Sequence, residues 1–407
     1  MNLVAKKAKT FLEKTPLSRL MGNDINENLL LLAFFISAVG NICISFKLSV
    51  VNTYANYLVY SLFALVFIID FIRTLKLIKY GEIDIKMLAA AGILTVLGIS
   101  SFIVGLCQTN NIIIFKKVVF TLFFVYLVFY FHRHIPSKES ISFLLYVGFA
   151  FGCLLILSYA IFSFGKTENL TLNQHNPNYT GMLLAASFAC SVALSVKTKN
   201  RILKLSALSI AAVLLVLTYF TSCRSVLIAL VIGSFCCLFF SHIKDNKTKA
   251  FITVFLPLFI VEAYLLLYYA GWTGTSLNGK SLNTRVLMWD GNLQESLFVH
   301  PFGRYGELNL ANGYSQLHNI YVDLLGSYGI VFCVLWFVYI FFALRKKYAN
   351  NELRLGIEFW AGLSLFFFGI FEVSFFNAYG FGTILMLFLL SYAPPSNKRI
   401  AYNNIDI

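Results

Sequence analysis

Residues 250–270, AFITVFLPLFIVEAYLLLYYA, form a nearly unbroken apolar run. A helix that crosses the hydrocarbon core of a bilayer needs about 20 mostly apolar residues, so this run predicts a transmembrane helix. The polar residues 271–318 follow it directly, and residues 319–344 are apolar again. We therefore expect one large loop, residues 271–318, between two spanning helices.

The composition places the rest of the chain in a membrane as well. Hydrophobic residues make up 59% of it and charged residues only 12%, whereas soluble domains carry about 25% charged residues. The 42 phenylalanines and 22 tyrosines suit lipid-facing and interfacial positions. The net charge of +14 comes from short basic clusters between apolar runs, so membrane orientation explains it better than nucleic-acid binding. The expected fold class is an all-α, polytopic membrane protein.

The cysteines and the N-terminus exclude further features. All eight cysteines lie in or beside apolar runs and none has metal-ligand spacing, so we expect no disulfide framework, no metal site and no cofactor. The basic N-terminus lacks a short apolar core followed by a small-residue cleavage site. No cleaved signal peptide is therefore predicted.

Apolar segments predict about twelve transmembrane helices in a single domain, residues 1–407, with residues 271–318 as an external cap between spans nine and ten. Spans eight and twelve are short, and Asn377 alone separates the last two, which predicts a tight helical hairpin. The segments are residues 29–46, 54–72, 87–106, 112–131, 141–164, 178–196, 203–220, 225–241, 250–270, 319–344, 355–376 and 378–393.

The basic residues predict the orientation of these helices. Most of the 32 lysines and arginines fall in every second connection, and such clusters prefer the cytoplasmic side of a membrane. An even number of spans then places both termini in the cytoplasm of a cell and the 271–318 loop outside the cytoplasmic membrane. The basic residues on the outer side are exceptions to this bias, and they are the first candidates for function.

The outer turn between the seventh and eighth spans, residues 219–225, reads YFTSCRS and carries Arg224. A guanidinium there either extends to the headgroup layer as an interfacial arginine or binds phosphate. Arginine offers planar, bidentate donors that match phosphate oxygens. The threonine and serines around Arg224 favour phosphate binding.

Residues 283–290, NTRVLMWD, predict a short amphipathic helix in the cap. Arg285, Met288 and Trp289 share one face at i, i+3 and i+4 spacing. One interpretation is a solvated surface helix with an ion pair between Arg285 and Asp290. The tryptophan and methionine favour a face buried against the membrane domain, where an arginine needs an anionic partner.

His318 closes the cap and begins the tenth span, at the same predicted membrane level as Arg224. A single histidine at a helix start is generally a structural hydrogen-bonding residue. The neighbouring Asn319, Tyr321 and Asp323 favour a role in chemistry instead, because a neutral imidazole is the natural general base near pH 7. Asn319 and Tyr321 are candidates for substrate binding beside it.

A second outer polar cluster, residues 173–181, reads NQHNPNYTG. Amides and aromatic rings suit sugar hydroxyls, which makes Asn178 a candidate for substrate binding and His175 a rival base. An ordinary capping loop, with Pro177 in the first turn of a helix, explains the same residues equally well.

Several acids at membrane depth are also functional candidates by default. Two of them, Asp70 and Glu358, are expected to pair with the basic clusters. The acids are Asp70, Glu262, Asp323, Glu358 and Glu372.

The order of these motifs resembles the O-antigen ligase and polymerase superfamily of bacterial surface-polysaccharide assembly. Residues 317–330, LHNIYVDLLGSYGI, are similar to its His-Asn motif with a glycine after nine residues, although Phe332 departs from the ligase pattern. Its Ser-Arg turn is matched by residues 221–225 and its external-loop pattern by residues 284–289 and 300–306. The resemblance covers roughly residues 205–345.

The resemblance implies metal-independent glycosyl transfer from an undecaprenyl-diphosphate-linked glycan on the outer face of the membrane. It implies that Arg224 and Arg285 engage the diphosphate and that His318 acts on the acceptor hydroxyl, with Arg304 as a weaker candidate for the same site. The implied partners are the lipid-linked glycan, chain-length regulators and flippases, with no nucleic acid.

Three functions remain open on the sequence. A polymerase adds the growing chain to a new lipid-linked repeat unit, and a ligase moves the glycan to another anchor. Phe332 weakens the ligase branch, so the polymerase is the preferred interpretation. A flippase or transporter of lipid-linked sugars is the rival from another class, but the chain shows no internal repeat and its densest polar chemistry lies on one face.

Overall fold

A computed structural model describes residues 24–79, 84–109, 112–162, 177–221, 223–271, 283–294, 300–303, 319–350, 356–370 and 381–392. This part of the chain is almost entirely helical and contains no strand, so the predicted all-α class is confirmed. Its thirteen helices are α1 (Ile25–Ser45), α2 (Ser49–Lys79), α3 (Ile85–Thr109), α4 (Ile112–Arg133), α5 (Lys138–Phe162), α6 (Pro177–Lys197), α7 (Arg201–Phe220), α8 (Arg224–Phe240), α9 (Asn246–Tyr269), α10 (Asn283–Gln294), α11 (Ile320–Asn350), α12 (Ile357–Phe368) and α13 (Phe381–Ser391).

Each predicted apolar segment overlaps one of these helices, and α10 lies in the predicted cap. Eight helices of the described part are long and apolar enough to cross a membrane, and α4, α8, α12 and α13 contain shorter apolar helical stretches. The chain is thus a polytopic helical membrane protein. The number of helices that span the bilayer stays a prediction.

Polar residues fix the starts of several helices. The side chain of Asp24 accepts a hydrogen bond from the backbone N–H of Asn26 at the start of α1. Asn200 and Asp245 cap α7 and α9 in the same way. Such caps satisfy backbone donors that have no partner within the helix.

Small residues allow the helices of the core to approach closely. The Cα of Gly148 on α5 lies against Cys190 on α6, Gly233 on α8 lies against Ser364 on α12, and Gly362 on α12 faces Leu390 on α13. Close packing through small residues is the usual means of association inside a bilayer. Among the long apolar helices of the described part, α6 is the most buried. In its apolar 18-residue stretch, 78% of the residues are buried within the bundle.

One end of the bundle, here called the basic end, is held by ion pairs between helices. Asp24 pairs with Arg73 at 2.7 Å, and Arg133 pairs with the buried Asp70. Lys197, the last residue of α6, pairs with Glu358 in the first turn of α12. The expected pairing of Asp70 and Glu358 with basic residues is therefore confirmed.

The last described helix also ends at the basic end. The ammonium of Lys347 donates hydrogen bonds to the carbonyl of Ser391 at 3.2 Å and to that of His134 at 3.5 Å. The start of α1 and the end of α13 thus lie at the same end of the bundle, as an even number of spans requires. The other end, called the opposite end, holds the starts of α6 and α8.

Helix α11 departs from the predicted continuous span 319–344. Gly329 has φ 81° and ψ 176°, which breaks the helix into two segments, residues 320–328 and 330–350. The ring of Tyr321 lies 5.8 Å from that of Phe337 and 6.0 Å from that of Trp336. In a straight helix these residues would be about 23 Å apart, so the two segments fold toward each other. The apolar span itself is present, since Ile320–Ala349 is among the eight helices long and apolar enough to cross a membrane, but the break at Gly329 was not predicted. Glycine permits the backbone conformation that interrupts the helix.

Candidate functional site

The turn before α8 is built from its own side chains. The hydroxyl of Thr221 donates to the carbonyl of Thr218 at 2.7 Å and accepts from the backbone N–H of Cys223 at 3.2 Å. Arg224 is the first residue of α8. Its side chain lies outside the part that the structure describes, but the ordered turn fixes where its backbone lies.

The start of α6 packs against this turn. A Cβ on Gly181 would lie 2.6 Å from the Cβ of Cys223, so the two helix starts are as close as glycine allows. Two residues earlier, the hydroxyl of Tyr179 donates to the side-chain oxygen of Asn41 on α1 at 2.7 Å. Part of the predicted polar cluster 173–181 is therefore adjacent to the Arg224 turn.

The structure describes the backbone of one further residue of that cluster, Asn178, and does not describe His175. Asn178 is the second residue of α6, and its side chain is not among those described. His175 lies outside the described residues altogether. Their predicted contacts with sugar stay predictions.

Helix α10 is the predicted short helix of the cap, and its apolar face is buried. Trp289 is 2% exposed and packs with Val261 of α9 and Val322 of α11, whereas Leu287 on the other face is 54% exposed. Trp289 is therefore buried as expected, and the orientation of Arg285 and Met288 stays a prediction. The side chains of Arg285 and Met288 on the same face are not described.

Asp290, which one interpretation of the sequence pairs with Arg285, has a described contact with a residue of α9. The hydroxyl of Tyr269 at the end of α9 donates to the carboxylate of Asp290. This bond connects α10 to the end of α9. It gives Asp290 a structural role and does not require the ion pair with Arg285.

The start of α11 is tied to the end of α12 by Asn319. Its side-chain oxygen accepts from the N–H groups of Tyr321 and Val322, at 2.9 and 3.0 Å, and its amide donates to the carbonyl of Ile370 at 2.8 Å. The N–H of Ile320 also donates to the carbonyl of Gly369 at 2.9 Å. Asn319 is fully buried, so the structure gives this predicted substrate-binding residue a positioning role next to His318.

Tyr321, the other predicted substrate-binding residue of this segment, lies inside the elbow of α11. It is 1% exposed and its ring contacts Trp336, Phe337 and Phe366. These contacts hold the first segment of α11 against the second and against α12. Asp323, two residues later, is also buried.

Packing of α8 on α12 places the starts of α8 and α11 at similar depth. The two helices run antiparallel and Gly233 meets Ser364. Arg224 lies about 14 Å along α8 from this contact, and Gly369 lies about 8 Å along α12 in the same direction. The two positions therefore differ by about 6 Å in depth, counted along the helices.

The structure thus brings the backbone of Arg224, helix α10 and the start of α11 to the opposite end of the bundle. Three residues of the predicted site cannot be compared, since His175, Arg304 and His318 lie outside the described residues. A sugar and a diphosphate have to fit between these groups, so we predict a distance of about 10 Å from His318 to each of Arg224 and Arg285. This distance stays a prediction, because His318 lies outside the described residues.

Two small cavities lie among the described residues. One of about 40 Å³ lies toward the basic end and is lined by apolar residues with His132 and Lys347. The other, of about 10 Å³, lies below the start of α8 between Ala185, Val226 and Ser364. Such volumes hold at most a few water molecules. Neither of these two cavities can contain a sugar.

Sequence reasoning missed two features of this region, a hydrogen bond between helices and a helix break. The bond between Tyr179 and Asn41 joins residues 138 positions apart, and no local pattern indicates it. The helix break at Gly329 had a signal, because Gly326, Ser327 and Gly329 lie close together in an otherwise apolar span. Clustered glycine in a helical pattern indicates a bend or a close backbone approach.

No protein-family model matches this chain, and comparison with curated proteins and with solved structures found no match either.

Proposed function

We propose that the protein is a membrane glycosyltransferase that polymerises undecaprenyl-diphosphate-linked oligosaccharide repeat units on the outer face of the cytoplasmic membrane. The observation that carries this proposal is the convergence of the Arg224 turn, helix α10 and the start of α11 at the end opposite the basic end. The motifs for diphosphate and for the acceptor hydroxyl, at positions 224, 285 and 318, are distant in sequence, but the first two belong to segments at this end and the third directly precedes the start of α11 in the sequence.

The proposed reaction forms one glycosidic bond and breaks one bond to phosphate. The acceptor hydroxyl attacks the anomeric carbon of the lipid-linked glycan, and the bond from that carbon to the diphosphate oxygen breaks. Undecaprenyl diphosphate leaves with the electron pair, and His318 takes the hydroxyl proton. Arg224 and Arg285 stabilise the charge that develops on the leaving diphosphate.

The environment of the helix starts supports this assignment. Backbone N–H groups at the start of α8 give that end a partial positive charge, which favours an anion. Arginine adds charge-assisted hydrogen bonds of roughly 1.5–3 kcal/mol each. Lipid-facing helices around the site would let the polyprenyl chain approach from within the bilayer.

The first experiment tests sidedness. Reporter fusions after Lys199, Lys247 and Lys347 are expected to lie in the cytoplasm, and fusions at Gly279 and Gly313 outside it, because basic connections stay inside. A cytoplasmic signal from Gly279 or Gly313 would remove the proposal, since the donor glycan is external.

The second experiment tests the reaction itself. Purified protein in detergent is supplied with lipid-diphosphate repeat units, without metal and without a membrane gradient. Longer glycans on the lipid support the polymerase, and transfer only after another acceptor is added supports the ligase. His318→Ala is expected to stop transfer and His175→Ala to be milder. Transfer that is unchanged in His318→Ala would reject its role as the base.

A flippase of lipid-linked sugars is a second candidate, and the break in α11 favours it. Transporters often use helices interrupted near their substrate sites, and Gly329 interrupts α11 in this way. Vesicles with reconstituted protein and labelled lipid-linked sugar distinguish the two functions. Movement of intact lipid-linked sugar across the bilayer, without longer glycans, would establish the flippase.

A further inference from the structure

The break in α11 is occupied by a segment of the external cap. Residues 300–303 form a turn in which the N–H of Gly303 donates to the carbonyl of His300 at 2.8 Å. The carbonyl of Pro301 in this turn accepts from the N–H of Ile330 at 2.9 Å. Ile330 follows the break, so the cap supplies the acceptor for a donor at the start of the second helical segment.

Only glycine fits on either side of this crossing. A Cβ on Gly329 would lie 2.2 Å from the oxygen of Pro301 and 2.6 Å from the nitrogen of Gly303. A Cβ on Gly303 would lie 2.5 Å from the nitrogen of Gly329 and 2.6 Å from the oxygen of Ser327. All of these neighbours are backbone atoms, and both glycines have φ above 80°. Both features disfavour any residue with a side chain.

The break in α11 also bears on the start of this helix. The first segment of α11, residues 320–328, lies between the break and Asn319, which is bonded to Ile370 at 2.8 Å. His318, the proposed base, directly precedes Asn319 in the sequence.

We propose that the crossing of Gly303 and Gly329 is the positioning element of the site. It holds residues 300–303 of the cap on the elbow of α11 and thereby fixes the first segment of this helix, whose start follows the proposed base His318 directly in the sequence. Arg224 and Arg285 lie on α8 and α10, which do not take part in the crossing. The crossing therefore controls transfer more than it controls binding of the lipid diphosphate. This inference rests on the proposed function.

The test uses the full-length protein with Gly329→Ala and Gly303→Ala, assayed in detergent. Transfer is expected to fall at least about 50-fold, since a misplacement of about 1 Å can cost about 100-fold. The dissociation constant for undecaprenyl diphosphate is expected to change less than about threefold. Hydrogen–deuterium exchange of peptides that cover residues 300–303 and 328–332 is expected to rise, because Ile330 loses its acceptor.

Gly92→Ala is the matched control. A Cβ on Gly92 meets no atom within 4 Å, so this variant is expected to keep transfer and exchange at wild-type values. Should Gly329→Ala fail to fold, Gly303→Ala still tests the crossing, since its clash can be relieved by movement of the cap alone.

The possible outcomes distinguish failure of the positioning role from failure of the proposed function. A wild-type protein without transfer activity refutes the function, and with it the positioning role. An active wild type whose variants show raised local exchange but full transfer refutes the positioning role alone. A parallel loss of diphosphate binding and transfer would also overturn it, because the crossing would then form the donor site itself.

Discussion

The two ends of the bundle are held together by different interactions. At the basic end, Arg133 pairs with Asp70 and Lys197 pairs with Glu358, each pair joining two helices. At the opposite end, the described contacts between elements are mainly apolar or backbone contacts, such as Gly181 with Cys223 and Trp289 with Val322.

This difference indicates how charge is used in the two regions. Charged side chains at the basic end are neutralised by other residues of the chain, so their removal should affect stability. At the opposite end, the described contacts that assemble the helices carrying Arg224 and Arg285 are apolar contacts, backbone contacts and hydrogen bonds, including the bond from Tyr269 to Asp290. Removal of these arginines should therefore affect function while the fold persists.

The largest effect is expected at the basic end. Asp70→Asn leaves Arg133, whose side chain is 11% exposed, without its carboxylate partner. Breaking a buried pair in this way costs about 3–5 kcal/mol, so thermal unfolding in detergent should occur at a clearly lower temperature. Asp70→Asn with Arg133→Met should recover part of the loss, because no unpaired charge remains.

Glu262→Gln is the control for the Asp70 variant. Glu262 is an exposed acid on α9, so its neutralisation should change the unfolding temperature little. Equal stability of Asp70→Asn and the wild type would remove the distinction between the two ends.

The next effect is expected at the opposite end. Arg224→Ala and Arg285→Ala should each reduce polymer at least about 100-fold, as loss of a charge-stabilising donor does, with normal amounts of protein in the membrane. Lysine at either position should restore little, because a point charge does not reproduce the bidentate guanidinium. Polymer yield and membrane abundance are measured together.

Arg201→Ala serves as the control for these arginine variants. Arg201 is an exposed residue at the start of α7, near the basic end, and its removal should leave polymer unchanged. Full polymer from both Arg224→Ala and Arg285→Ala would reject diphosphate binding at these positions.

A smaller effect is expected at Asn319, which combines capping with a contact between helices. Asn319→Ala loses the cap of α11, about 0.5–2 kcal/mol, and leaves the carbonyl of Ile370 without its donor. Asn319→Ser keeps a capping oxygen and should be intermediate in unfolding temperature. Identical stability of the alanine and serine variants would show that the cap contributes nothing.

The smallest effect is expected at Asp24, which is partly exposed. Burial raises the pKa of its carboxyl, but hydrogen bonds from Arg73 and from the N–H of Asn26, with the charges of Arg73 and His134, lower the pKa below its usual value overall. The carboxylate therefore stabilises the fold above the unfolded-state pKa of about 3.9, and this contribution is lost as the pH falls through the lower folded-state pKa.

Asp24→Asn tests this contribution while keeping a side chain that can cap α1. The variant should be less stable than the wild type by at most about 1 kcal/mol near pH 7, since the pair with Arg73 is partly solvated. The difference should disappear toward pH 3 in thermal unfolding experiments. A difference that is constant from pH 3 to pH 7 would exclude the charge as its cause.

Local patterns predicted much of this architecture. The twelve apolar segments each overlap a helix, and the predicted amphipathic helix forms α10 with Trp289 on its buried side. These features could be predicted because apolar length and helical periodicity depend on residues that are close in sequence. The pairing of Asp70 with one basic residue and of Glu358 with another was expected on the same basis, since an acid at membrane depth needs a basic partner.

Other features could not be predicted in this way. The sequence placed Asn319 and Tyr321 in a substrate site, whereas their described contacts hold α11 against itself and against α12. The break in α11 was not predicted, because the length of an apolar segment does not indicate a backbone bend at one glycine. The contact between Gly303 and Gly329 depends on two chain segments that meet only after the bundle has formed.

By itself, the sequence determined that this chain is an all-helical membrane protein, where its apolar helices lie and which polar residues stand out between them. Hydropathy and charge are properties of short stretches of sequence, so they can be determined without a structure. The tertiary structure decided which helix starts converge, where α11 breaks and which charges neutralise one another. These depend on contacts between residues far apart in the chain, such as Asn319 with Ile370, and packing alone brings them together.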